Sequence, residues 1–245
     1  MDPRYESDTL AMEDRHWWYR GRRRIVSDTV ASLPLPRLAE ILDAGCGSGR
    51  NLQVLARYGA VTGLEPSGTS LEVAQQRGIG TVVPGSIEAM PFADDSFDLA
   101  ASLDVIEHVD DSAALRELLR VVHPGGHLLL TVPAYPVLWG PHDVANHHRR
   151  RYTCGSLLAA ATATGWAPVR TTHFNALLLP AAAVYRLASR IRSAGNGERS
   201  RDFDSTPAWL NAVLERPLLA EAALLRTERR IPAGLSLMAV FRRPR

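Results

Sequence analysis

Two cysteines, Cys46 and Cys154, are all that the 245 residues contain. They stand far apart with no metal-ligand spacing around either. That excludes a disulfide scaffold and a cysteine-based zinc site, and it fits a reducing cytosol. Long apolar runs are missing too: the longest, 176–185, is about half the roughly 20 residues a bilayer span needs, and Pro180 interrupts it. The N-terminus is acidic and polar, without the apolar core of a signal peptide. Stable membrane insertion is therefore not expected, and a cytoplasmic location is. Nor is there strong charge of one sign: the formal net charge is +2, too mild to argue for a nucleic-acid partner. Internal repeats are absent.

What is present is an alternation of strands and helices, the pattern of a parallel sheet with helical crossovers. Strands are expected at 38–42, 61–64, 81–83, 97–103, 127–132, 169–174 and 235–241. Ser67 is placed to cap a helix reaching Arg77. Leu115, Leu118, Leu119 and Val122 recur at helical spacing, and Pro124-Gly125-Gly126 is expected to stop that helix before the fifth strand. The fold class expected is α/β, a Rossmann-like, doubly wound, seven-stranded, mostly parallel sheet. Its organisation reads as an N-terminal helical lid (1–37), a core (38–175), a helical insert (176–232) and the last strand of the core (233–245). The middle of the insert, 193–206, is polar and charged.

The first strand feeds Asp43-Ala44-Gly45-Cys46-Gly47-Ser48-Gly49 and then a helix. Such a turn places unpaired backbone N–H groups around a ligand, and glycine is needed where no Cβ can be tolerated. Glu65 ends the second strand about 20 residues later, where doubly wound folds put a carboxylate on ribose hydroxyls. Together they read as a nucleoside clamp. Dinucleotide enzymes show a third glycine, G-x-G-x-x-G, which neither Asn51 nor Leu52 provides. Asp43 ahead of the turn is awkward beside a pyrophosphate and suits a ligand carrying a sulfonium and an ammonium.

With those residues in view, 43–49 resembles the first motif of class I S-adenosylmethionine-dependent methyltransferases. Three further stretches resemble their small-molecule branch, typified by ubiquinone-pathway O-methyltransferases: 85–92, 97–109 and 118–126. The resemblance implies S-adenosyl-L-methionine as cofactor. It implies contacts to the methionine part from Asp43, Gly45, Cys46, Gly47 and Gly49, and to the ribose from Glu65 and Pro66. It puts Ser86 and Ile87 at the adenine and Asp104 toward the methyl-donor end; Leu103 and His108 are further cofactor-contact candidates, with a structural role favoured for His108. Many relatives carry aspartate where this chain has Ser86, so that contact is the weaker one. No metal is expected, although His142, Asp143 and His147 are of ligand type.

Methyl transfer is an in-line displacement that needs alignment, and a base when the nucleophile must lose a proton. The segment 142–152, rich in histidine, follows the fifth strand, where open α/β sheets bind ligands. His147 or His148 is the candidate general base, against the plainer role of anchoring the loop. Trp17 and Tyr19, in an aromatic run starting at His16, are candidate substrate contacts, as are Tyr152 and Glu221. Glu221 stands on an apolar helical stripe, so it should be paired, an arginine being the plain partner. Arg186, Arg190 and Arg192 beside the insert make peripheral membrane contact conceivable. The activity expected is methylation of a small, apolar or aromatic metabolite by a monomer or homodimer. O-methylation leads, N- or C-methylation of a natural product or lipid-linked intermediate is the alternative, and a non-catalytic cofactor-binding partner is the reading of another class.

Overall fold

The computed structural model describes residues 12–181, 183–184, 207–227 and 229–245. Arg186, Arg190, Arg192 and the polar stretch 193–206 lie outside them. Seven strands form one sheet in the order β3-β2-β1-β4-β5-β7-β6: β1 (Ala39–Ala44), β2 (Gly59–Glu65), β3 (Thr81–Pro84), β4 (Phe97–Leu103), β5 (Val122–Pro133), β6 (Ala167–Phe174) and β7 (Ser236–Arg242). All pairings are parallel except those of β7, which runs antiparallel to both neighbours. The helices are α1 (Trp17–Ala31), α2 (Arg50–Leu55), α3 (Gly68–Gln76), α4 (Asp111–Val121), α5 (Pro141–Ala145), α6 (Cys154–Ala163) and α7 (Ala208–Leu225).

Successive strand residues face opposite sides of a sheet, and here both sides are covered. Leu42, Ala100, Leu128 and Leu130 pack with α4 and α6 on one face. Ile41, Leu99 and Leu129 pack on the other with Ile25, Val26 and Val30 of α1 and Leu218, Ala222 and Leu225 of α7. α1 thus shares the core of the sheet; only its first turns and the residues before it reach the functional cavity.

α1 and α7 touch closely at Gly21. A Cβ there would stand 2.4 Å from Leu218 Cδ1 and 2.6 Å from Leu218 Cβ. Overpacking a well-filled contact costs about 1–3 kcal/mol, so Gly21→Val is expected to lower the melting temperature by several degrees, roughly 2–4 °C per kcal/mol in a chain of this size. An unchanged thermal melt would show that the two helices are not tightly seated.

Two expectations are corrected locally. Ser67 stands at the N-cap of α3, but its side chain makes no capping bond; its N–H donates to Glu65 Oε1 at 2.9 Å. The Pro124-Gly125-Gly126 stretch lies inside β5, which starts as α4 ends: Val122 already pairs with Phe97, and a register shift between Phe97 and Leu99 takes up the extra residues.

Candidate active site

The sheet order reverses between β1 and β4, and ligands of such sheets bind at that switch point beyond the strands' C-terminal ends. A cavity of about 910 Å³ lies there, at the upper end of the roughly 300–1,000 Å³ usual for ligand pockets. One end is built by the glycine turn. Gly45 and Gly47 have φ of +85° and +54°, a left-handed region that favours glycine. A Cβ on Gly45 would strike Val105 Cγ2 at 2.6 Å, whereas one on Gly47 would meet nothing within 4 Å, so the turn presents bare backbone to open space. Glu65 braces it: Oε2 accepts from Gly47 N at 2.8 Å and Oε1 from Ser67 N. Cys46, Pro66, Ser86, Ile87, Leu103, Asp104 and His108 all border the cavity. These residues fit a nucleoside with a methionine-like tail: open glycine backbone, a ribose-height carboxylate and the apolar Ile87 for a base.

Asp43 and Gly49 are not at the cavity surface. Asp43 is wholly buried behind the turn with neither carboxylate oxygen hydrogen-bonded. Burial pushes its pKa up to about 7, Arg22 opposing and Glu65 adding. Its influence on a ligand is therefore through space. Gly49 stands at the N-cap of α2, and a Cβ on it would press on Ala74 of α3 at 3.2 Å; it serves packing.

The N-terminal segment closes the other side. Glu13 accepts from Ser48 Oγ of the glycine turn and from Arg77 Nη2 at 2.6 Å. Trp17, Trp18 and Tyr19 line the cavity. Arg22, one helical turn beyond Trp18, lays its guanidinium 4.6 Å from the Trp18 ring centroid and pairs with Asp104. Arg22 was not legible as a site residue, because its run Arg22-Arg23-Arg24 reads as a solvated face.

The far end belongs to the histidine segment. His148 borders the cavity, and its Nδ1 lies 2.9 Å from Asp143 Oδ1. Asp143 is wholly buried and also accepts from Arg151 Nε at 2.7 Å and Gly140 N at 2.8 Å. Burial alone would raise its pKa, but the His148 and Arg151 hydrogen bonds outweigh it and hold the carboxyl well below the usual range. An ionised Asp143 can only accept, so His148 Nδ1 is the donor in this bond. His108 stacks edge-on against His148 at 4.7 Å; burial, with His148 adding, pushes its pKa down to about 4. Glu107 lies beside them, wholly buried.

Three expected site residues fall elsewhere. His147 is exposed and does not border the cavity. Tyr152 is buried in the core and donates to Asp111 Oδ2 at 2.8 Å. Glu221 is paired, though with backbone rather than arginine: it accepts from Ala176 N at 2.8 Å and from Asn175 N, tying α7 to the end of β6. Arg22, Glu107 and Arg151 are the site residues that sequence reasoning missed. The contact of Asp143 with His148 carried no signal in the spacing, because it depends on the turn at His147, φ +54°, beyond the end of α5.

The strand order, the glycine turn and its acid make 38–133 a doubly wound, Rossmann-like core. Residues 42–130 match the family described as methyltransferase domain. The chain is 32% identical over 180 residues to the ubiquinone biosynthesis O-methyltransferase of Methylobacterium nodulans, covering 71% of this chain and 65% of that enzyme. It is 39% identical over 136 residues to the malonyl-[acyl-carrier protein] O-methyltransferase of Erwinia billingiae, covering 51% of this chain and 54% of that one. The chain thus spans less than two thirds of the length of either relative. In fold it is similar to the S-adenosylmethionine-dependent methyltransferase of Mesorhizobium loti, with a TM-score of 0.60, 20% identity, and 94% and 100% of the two chains covered. Among the described residues, no helix is long and apolar enough to cross a membrane.

Proposed function

We propose that the whole protein is a cytoplasmic enzyme that transfers the methyl group of S-adenosyl-L-methionine to a hydroxyl oxygen of a small, largely apolar metabolite. One observation carries this reading: a single cavity joins the glycine turn and Glu65 at one end to the Asp143-oriented His148 at the other, with Asp104 between. Aromatic walls from Trp17, Trp18 and Tyr19 favour an apolar acceptor and exclude water from the transfer. The two relatives named as O-methyltransferases support oxygen as the acceptor atom. The N-terminal segment serves as the cover of the cofactor, and Leu178 and Ala181, which border the cavity, as part of the cover of the acceptor.

His148, not His147, is the residue of this pair that faces the acceptor. His148→Ala is expected to lower turnover by about 100-fold or more, the usual worth of a positioned proton acceptor, while His147→Ala leaves it within about twofold. Turnover would be followed as labelled methyl transferred into fractionated small molecules of a cell extract. Label appearing only in protein or RNA would overturn the small-molecule reading, and S-adenosylhomocysteine failing to stabilise the protein in a thermal-shift assay would overturn the methyl-transfer reading itself.

A further inference from the structure

We propose that a small pocket at the opposite end of the sheet from the large cavity is a second ligand site, one that takes a phosphate group. It lies where β5 begins and β7 ends, beside residues 34–36 after α1. Pro133, the last residue of β5, borders the large cavity, whereas His127 of the same strand lines this pocket. Six strand residues at about 3.3 Å each put the two sites roughly 20 Å apart. The inference therefore stands apart from the methyl-transfer reading.

The pocket holds about 180 Å³. At about 30 Å³ per water molecule, that is room for a phosphate group and a few waters, not for a nucleotide. Its polar lining is unbalanced in sign. Arg242, Arg245, His123 and His127 face one carboxylate, Asp98, which already accepts from Glu40 N at 2.9 Å. The two guanidiniums converge over Gly125. A Cβ built on that glycine would stand 3.6 Å from Arg242 Nη2 and 3.8 Å from Arg245 Nε. The φ of Gly125 is +87°, in the left-handed region that favours glycine, and the missing side chain leaves the space between the two forks open. Arg242 uses only Nε, donating to Gly125 O at 3.3 Å. Neither arginine has an ion pair among the described residues. Planar guanidinium forks match phosphate oxygens bidentately.

His127 is a second, independent observation. It is only 7% exposed, it lines the pocket, and its ring has no hydrogen-bond partner among the described residues. A buried polar group left unpaired is costly, and native proteins rarely keep one without a ligand or water. Arg242 is its partner across the β5–β7 ladder, so the two side chains stand on one face of the sheet. Burial, with Arg242 adding, pushes the imidazole pKa down. A bound dianion acts the other way, because it favours the imidazolium and offsets the arginines. The other charged or titratable groups sharing the pocket are Asp98, His123, Arg242 and Arg245; residues 34–36 bring none. Proton uptake by His127 thus accompanies binding.

The full chain is to be titrated with inorganic phosphate and with glycerol phosphate, by calorimetry and thermal melt, against potassium chloride at equal ionic strength. One equivalent of bound phosphate and a melting temperature raised by a few degrees at saturation are expected. Arg245→Ala, at an exposed side chain, should weaken binding by about tenfold or more while the ligand-free melt stays near wild type. Sulfate keeps its charge across neutral pH, and should bind about threefold or more weakly at about pH 8 than at about pH 6. His127→Gln should remove most of that dependence. Tighter binding of the glycerol ester would support the site and identify its ligand as a larger phosphate monoester; tighter binding of inorganic phosphate would support it as a site for the free ion. Stabilisation no greater than chloride gives, or binding unchanged in Arg245→Ala, would overturn the site. A pH dependence unchanged in His127→Gln would overturn the part assigned to His127.

Discussion

Glu65→Gln is expected to reduce S-adenosylhomocysteine affinity by at least about two orders of magnitude, measured by calorimetry on a protein that still melts cooperatively. The carboxylate accepts from Gly47 N at 2.8 Å through one oxygen and from Ser67 N at 2.9 Å through the other. The amide must turn its NH₂ toward one of these donors, so one bond is replaced by a donor facing a donor. Hydrogen bonds to a charged group contribute roughly 1.5–3 kcal/mol each, and a buried donor left unmade costs about 1–3 kcal/mol more. At 1.4 kcal/mol per tenfold, losing one bond and weakening the other accounts for the stated drop. The geometry of the glycine turn would be lost with them, and with it the proposed ribose contact of the same side chain. Affinity within threefold of wild type would mean that the turn holds its shape without Glu65 and that the ribose is bound by other groups.

Asp43→Asn is expected to stabilise the ligand-free protein at pH 8 by several kcal/mol and to leave it almost unchanged at pH 4. The folded-state pKa is raised to about 7 by burial, with Arg22 opposing the shift and Glu65 adding to it. Between about pH 4 and pH 7 the unfolded chain has released this proton and the folded chain still holds it. Stability of the wild type therefore falls as pH rises through that window, and is level above it. A rise from the ordinary aspartate range to about 7 corresponds to roughly 4 kcal/mol. Asparagine carries no proton to release and removes the slope. The cofactor reverses the sign for the wild type: a ligand bearing a sulfonium and an ammonium favours the ionised carboxylate. Affinity for S-adenosylmethionine should thus weaken below about pH 7 in the wild type and show no such dependence in Asp43→Asn. Parallel pH–stability curves for the two proteins would show that Asp43 is ionised in the folded chain throughout.

Much of the fold is written in local sequence. β4 runs from Phe97 to Leu103 as expected, and the other strands agree with expectation to within a few residues except at the start of β5. Buried parallel strands are near-continuous apolar runs bounded by turn residues, and that pattern needs no tertiary information. β5 departs because Pro-Gly-Gly reads as a helix stop. In the folded chain the same residues are carried into the sheet, where Gly125 N donates to Arg243 O across β7. A partner more than 100 residues away decides that element.

The glycine-turn end of the cavity was likewise legible, because it is made by backbone conformation and by residues at fixed distances along one βαβα unit. The glycines, Asp43 and Glu65 lie within about 20 residues of one another, so their spacing alone implies a nucleoside clamp. What that spacing left open was which of them touch the ligand. Asp43 and Gly49 stand behind the turn, since alternate residues of a strand and the packing side of a helix start face inward.

The acceptor end depends on contacts that sequence spacing does not encode. Arg22 pairs with Asp104 across 82 residues, and His148 meets His108 from a segment 40 positions away. Glu221, conspicuous on its apolar stripe, closes backbone N–H groups at the end of β6. The sequence by itself determined the doubly wound sheet, the glycine turn and the acid that ends β2, because each follows from local periodicity and short-range spacing. Only the tertiary structure decided that His148 rather than His147 faces the cavity. It alone brought Glu107, His108 and His148 together with Asp143 behind them, because long-range packing of two separate segments sets those side-chain directions.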